Sequence, residues 1–228
     1  MATLAQYRDR VKEIVKDTAG RFTDAEKENF VLEAVRQYSR DRPLVRDDLI
    51  TGDGTAKEFI VPGAWSLHFS TLLGLEFPID QVPIALLDLD DDIEVVQKSQ
   101  LERIQLTRLT LQLAEQARIF YTTAHTVSAI ADTVPPNDFD AVCNLAGSHL
   151  ATALGAFYAE STDPTIAEDI VSHGLKQTLF DAVSASLLEK YKNHVEAGQA
   201  ATGEMLHGEL DVSFSWGEDL IFHPRRFR

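Results

Sequence analysis

VRDDLITGDGTAKEFIVPG, residues 45–63, interrupts the hydrophobic period of the chain. Two short extended runs flank Gly52, Asp53 and Gly54, residue types that supply the backbone freedom a reversal needs, so the spacing predicts a β-hairpin. The extended character continues to about Val127. Leu72, Leu73, Leu75 and Phe77 sit between glycine and proline punctuation, and residues 93–96, 103–106 and 116–121 are rich in β-branched or aromatic side chains. Five or six short strands are expected over residues 44–134, with Trp65 in a turn or short helix against them.

On the N-terminal side the period is helical. Leu4, Tyr7, Val11, Ile14 and Val15 recur at helix spacing as far as Gly20. Thr23 and Glu26 have the spacing of a capping box, opening a second helix with Phe30, Val31, Ala34, Val35 and Tyr38 on one face, stopped by Pro43. The helical period returns after Pro135 and Pro136, where Asn137 and Asp140 are capping candidates. The helix that follows carries Phe139, Val142, Leu145, Leu150, Leu154, Phe157 and Tyr158. Gly147, Ala151, Gly155 and Ala156 lie among them and permit close helix approach, which places this helix centrally in a bundle. A further helix is expected over residues 166–195. The fold class is α+β: a helical bundle (residues 1–43 and 135–196) with an inserted small antiparallel β subdomain (44–134) and an extended C-terminal tail (197–228).

The tail has a distinct pattern. Leu210, Val212, Phe214 and Trp216 alternate with Asp211, Ser213, Ser215 and Gly217, the period of a strand with one dry face. A lone strand is not stable, so these residues, with Phe222 and the basic Arg225, Arg226 and Arg228, are expected to form a docking tail that folds back or enters a partner.

An apolar content of 44% over 228 residues excludes disorder throughout, and 36 acidic against 21 basic side chains give a net charge of −15. That balance opposes a surface that grips phosphate backbones. The acidity is local, with nine acidic and two basic residues over 51–100. Asp88, Asp90, Asp91 and Asp92 form its densest part. A hydrated acidic surface outweighs a divalent-cation site there, because the ligand order of a calcium loop is absent and no histidine is near in sequence.

Other chemistry is sparse. Gly52, Asp53 and Gly54 lack the spaced glycines and following lysine of a phosphate loop, and no serine elbow or cysteine-nucleophile pattern is present. The single cysteine, Cys143, lies in an apolar helical run and reads as a buried structural thiol. Seven scattered histidines come with no evident partner, and His149, beside an apolar stripe, reads as a satisfied interior or interface side chain. No catalytic residue, cofactor or metal site is therefore expected. With no run of 18 apolar residues and charges too early for a signal peptide, the chain is expected to be intracellular, without a membrane partner.

LITGDGTAKEFIVP followed by Trp65 and LGLEFP, then RIFYTTAHTV leading through VPPNDFDAVCNLAGSHLATAL to a long helix, resembles the head-to-tail adaptor proteins of tailed bacteriophages, also called connector or head-completion proteins. The resemblance spans residues 4–195 and is best at 51–55, 121–125 and 138–146. It implies a virion neck protein at the head–tail interface, present in host cytoplasm before assembly. Such a chain forms an oligomeric ring, a dodecamer, under the portal protein. It extends the channel for passing double-stranded DNA without sequence-specific binding, and offers a platform to a downstream neck or tail protein. Terminal segments of the family commonly grip the portal. The large acidic β section departs from the family pattern. A tail-completion or other minor virion protein is the nearest alternative, ahead of a regulatory binding module and a metal-dependent enzyme.

Overall fold

A computed structural model describes residues 2–17, 20–81, 86–87, 92–98, 101–160 and 176–197. Among the described residues it is an α+β fold, with a bundle of four helices and a small antiparallel β part of two sheets. The chain divides into two compact units, Met1–Leu4 with Val35–Pro136, and Ala5–Ala34 with Asn137–Arg228.

The first helix, α1 (Leu4–Ile14), buries Tyr7 and Val11, and α2 (Asp24–Asp41), which divides between the two units after Ala34, opens on the expected cap. Thr23 Oγ1 accepts from the Glu26 N–H at 3.3 Å, and Glu26 Oε2 accepts the Thr23 N–H at 2.7 Å. Both reciprocal donors at the helix start are thereby satisfied. The two helices are laced on their wet side by Lys12–Asp24 at 2.7 Å and Arg8–Glu28 at 2.9 Å.

The long α3 (Phe139–Glu160) follows a single 3-10 turn at Pro136–Asp138. It buries Val142, Cys143, Leu145, Leu150 and Leu154, and each of the large aliphatics among them contributes about 1.5–3 kcal/mol by leaving water. A Cβ on Gly147 would lie 3.2 Å from Leu187, 3.4 Å from Val15 and 3.5 Å from Ile14, so the end of α1 and a further helix, α4, described over 176–197, converge on this glycine. The α3–α4 seam continues through Ser148 and Thr152, whose hydroxyls lie 3.0 and 2.8 Å from Ser184 Oγ. At Gly155 a Cβ would meet Asp181 at 2.9 Å. Gly147, Ala151 and Gly155 are buried as the small-residue pattern implies, whereas Ala156 is exposed.

Seven strands are present among the described residues of the β unit: β1 (Leu44–Thr51), β2 (Glu58–Ile60), β3 (Leu72–Glu76), β4 (Leu86–Leu87), β5 (Ile93–Lys98), β6 (Leu101–Leu106) and β7 (Gln116–Thr123). They form one sheet of order β1-β7-β3-β4 and another of order β2-β6-β5. Ile50, Leu75, Ala117, Ile119 and Tyr121 from the first share a core with Phe59, Ile93, Ile104 and Leu106 from the second. Trp65, in a turn, closes on Tyr121 with ring centroids 5.5 Å apart.

The hairpin expected between β1 and β2 is not formed. The two strands belong to different sheets, β1 pairing with β7 and β2 with β6. The glycine-rich turn instead pairs with the segment before β7: the Gly52 N–H donates to Glu115 O at 2.7 Å, and the Ala114 N–H donates to Gly52 O at 2.9 Å. Asp53 Oδ1 accepts from the Thr55 and Ala56 N–H groups, which holds its carboxyl below the usual carboxylate range and turns the chain toward the second sheet.

Candidate assembly surfaces

The residues singled out by sequence fall mostly outside the described residues. Asp88, Asp90 and Asp91 lie there, as does the whole set Leu210, Val212, Phe214, Trp216, Phe222, Arg225, Arg226 and Arg228. Asp92 is described, half-buried immediately before β5, with its carbonyl accepting from the Thr107 N–H at 2.8 Å.

The structure adds a charged cluster on the outer face of the first sheet. Strand register sets Glu76 of β3 opposite Arg118 of β7, and Asp47 of β1 is diagonal to it. Arg118 Nη1 donates to Glu76 Oε2 at 2.9 Å, Nη2 donates to Asp80 Oδ1 at 2.9 Å, and Nε lies 3.8 Å from Asp47. The hydrogen bond to Asp80 and the surrounding carboxylates raise the guanidinium pKa. Among the described residues three carboxylates gather around this one guanidinium. Sequence spacing held no signal for this cluster, because its members meet only once β3, β7 and β1 are paired in register.

Other buried polar groups serve the fold. The His125 ring nitrogens lie 2.9 Å from Thr133 O and 3.0 Å from Arg42 O, and the His125 N–H donates to Ser39 Oγ at 2.9 Å. His194 Nε2 is 2.6 Å from Asp138, a pairing 56 residues apart that the sequence did not reveal. Cys143 is fully buried, and burial pushes its thiol up to about 12, which leaves no thiolate at neutral pH. His149 departs from expectation, since its buried Nδ1 has no hydrogen-bond partner among the described residues. No group of three metal-ligating side chains and no helix long and apolar enough to cross a membrane occurs among the described residues.

No known protein family matches the sequence, and no curated protein matches it. The chain has distant structural similarity to chains of gene transfer agent (GTA) particles. One belongs to the neck of an empty GTA particle computed with C6 symmetry, at 17% identity and TM-score 0.30, over 65% of this chain and 77% of that one. A second is from the virion of the native particle, at 15% identity and TM-score 0.29, over 66% and 81%. A third is from the neck of the native particle computed with C12 symmetry, at 16% identity and TM-score 0.26, over 72% and 79%.

The β unit itself displays apolar side chains on fixed backbone. Ile60 is 76% exposed on β2, an edge strand, and Leu113 is 77% exposed in the loop whose Gln112 N–H is held by Glu115 Oε2 at 2.7 Å. Ile130 is 94% exposed at the tip of a turn in which Ser128 Oγ accepts from the Ile130 and Ala131 N–H groups at 3.2 and 2.9 Å. That turn is further tied by Ser128 N–H to Ala131 O at 2.7 Å and Leu4 N–H to Ser128 O at 3.1 Å.

Proposed function

We propose that this chain is a structural, non-enzymatic protein of a tailed-phage-like neck, a head-to-tail adaptor that joins a ring beneath the portal, extends the DNA channel and receives the next neck or tail component. What supports this reading is the exposure of Ile60, Leu113 and Ile130 on hydrogen-bonded loops and an edge strand, apolar positions that contact with other chains would cover. The order of the segments that resemble phage adaptors supports the choice of assembly.

The net charge of −15 suits a channel component. Negative walls repel passing DNA, whereas a basic lining would hold it through many salt-dependent phosphate contacts. The buried polar groups also favour a scaffold, since His125, Asp138 and Asp17 are engaged in tying backbone and helices together.

The test is reconstitution. The purified chain is mixed with portal rings from the same particle and imaged by electron microscopy, where added density under the portal, one copy per portal subunit, is the expected result. Portal rings that remain bare at saturating chain concentration would remove the adaptor role.

A further inference from the structure

His125 is 7% exposed, and both of its ring nitrogens face carbonyl oxygens. Nδ1 lies 2.9 Å from Thr133 O and Nε2 lies 3.0 Å from Arg42 O, the distances of full hydrogen bonds. A carbonyl oxygen only accepts, so each nitrogen has to donate. A neutral imidazole carries one N–H and presents a lone pair at its other nitrogen, whereas the imidazolium donates from both. With Nδ1 bare, the Thr133 hydroxyl at 3.3 Å would be its donor, yet the carbonyl of the same residue is nearer and would face the same lone pair.

The surroundings favour the cation. Arg42 directly follows α2 and its N–H still donates to Tyr38 O at 2.8 Å, so the Arg42 carbonyl belongs to the negative end of that helix's dipole. The Tyr38 ring lies 5.0 Å from the imidazole, centroid to centroid, within reach of a cation–π contact. Desolvation opposes the charge. The charged residues on the segments that meet the ring are Arg40, Asp41 and Arg42 at the end of α2 and Asp132 beside Thr133, two of each sign, so the carbonyls decide. Asp132 itself accepts from the Ala2 and Val134 N–H groups at 3.0 and 2.9 Å. At longer range the net charge of −15 favours holding a proton.

We propose that His125 is a doubly protonated clamp between the end of α2 and the turn that carries Ile130, closed while the ring is an imidazolium and opened when one proton leaves to solvent. The backbone at this point is held separately, since the His125 N–H donates to Ser39 Oγ at 2.9 Å, so the ring is the part of the contact that titrates. Val127 and Asp132 bridge one another at the base of the turn, and Ile130 stands 94% exposed at its tip. Loss of a proton sets a lone pair against a carbonyl, and the turn loses its tie to the helix end. A folded pKa raised above the unfolded value of about 6.5 gives a contribution fully present below that pH and lost as pH rises through the folded pKa. The presentation of Ile130 is therefore sensitive to alkaline pH. The clamp belongs to the single chain and does not rest on the assembly reading above.

Nitrogen-15 NMR of the histidine rings in the full-length chain tests it. Both ring nitrogens of His125 should still carry protons at about pH 7.5, one unit above the ordinary histidine value. The Ser128 and Thr133 N–H groups, which close the turn onto Ala131 O and Thr126 O at 2.7 and 3.0 Å, report on the clamp by hydrogen exchange. Their protection, corrected for the intrinsic rate, should fall by about tenfold as pH rises, with the same midpoint as the His125 ring. The wild-type chain serves for both measurements, so neither depends on a variant that folds. A bare Nδ1 at about pH 7.5, the neutral ring with the Thr133 hydroxyl as donor, would overturn the proposal. Two protonated nitrogens whose titration leaves the protection of the turn unchanged would overturn it as well.

Discussion

Arg118 Nη1 donates at 2.9 Å to Glu76, a carboxylate with only 2% of its side chain exposed, and this contact across β7 and β3 neutralises a charge that the sheet has removed from water. Taking away one partner of a buried pair leaves the other charged and dehydrated, which costs far more than the pair gains when intact. Arg118→Ala should therefore lower Tm by about 5–10 °C. Asp80→Ala, at a carboxylate 71% exposed in its side chain, should change it little. Differential scanning calorimetry of the two variants checks the order, and equal losses would show that Glu76 does not depend on Arg118.

The passage between the sheets depends on Gly52. A Cβ there would lie 2.4 Å from Gln112 O and 2.5 Å from Leu111 Cβ, both in the segment that takes the place of a hairpin partner. Gly52→Ala should destabilise by about 1–3 kcal/mol or more through this overlap. Gly20, with φ +58° and nothing within 4 Å of an added Cβ, should lose only about 1 kcal/mol on the same change, from backbone strain alone. Urea midpoints of the two variants measure the contrast.

Acid stability should depend on Asp17. Burial raises its pKa, but N–H donation from Arg21 and Phe22, with Lys27 at 3.3 Å, outweighs this and holds the carboxyl below its ordinary value in the folded chain. A depressed folded pKa means a contribution fully present above the unfolded value, about 3.9, and lost as pH falls through the folded one. Asp17→Asn should lower stability at neutral pH and flatten its decline below about pH 4. Circular-dichroism melts from neutral to acid pH check both effects, and an unchanged acid arm would assign the decline to other carboxylates.

Periodicity was sufficient for elements whose partners are local. The stripes Tyr7–Val11 and Val142–Leu145, the Thr23–Glu26 cap and the β-branched runs of β5, β6 and β7 are all where their spacing predicts. Sheet membership was not legible in the same way. The turn at Gly52–Gly54 has the composition of a hairpin, yet its hydrogen bonds go to Ala114 and Glu115, far along the chain, because the shared core places β2 against β6. Likewise the Arg118 cluster and the Asp138–His194 pair exist only through tertiary register. Most of the acidic run and all of the tail lie outside the described residues, so those two surfaces stand as expectations of sequence.

The acidic run can be tested by charge alone. Replacing Asp90, Asp91 and Asp92 with Asn removes three of the 36 acidic side chains. If the run is the hydrated surface its sequence leads one to expect, its charges act through the field rather than through packing, and folding stability should change by less than about 0.5 kcal/mol. Retention on double-stranded DNA at low salt should rise and disappear again near physiological ionic strength, where the Debye length falls to about 8 Å. Calcium or magnesium binding by calorimetry that vanishes in the variant would replace the electrostatic role with a metal site.

Ile130 offers the cleanest separation of assembly from folding. Its side chain is 94% exposed, while the turn beneath it is held by backbone and Ser128 hydrogen bonds that do not involve that side chain. Ile130→Ser preserves those bonds and adds no buried polar group, so stability should stay within about 0.5 kcal/mol of wild type. An apolar anchor that is covered in a particle loses its water there, and truncating such an anchor costs on the order of 1–2 kcal/mol of binding. Incorporation into neck particles should consequently fall by about five- to thirtyfold at limiting chain concentration. Ser128→Ala should reduce incorporation too, by loosening the turn that presents Ile130 while leaving the isoleucine itself in place. Quantifying chain occupancy in purified particles, beside thermal melts of each variant, measures both arms. Full occupancy with Ile130→Ser would mean that this turn faces solvent in the assembled particle and that the contact surface lies elsewhere on the β unit.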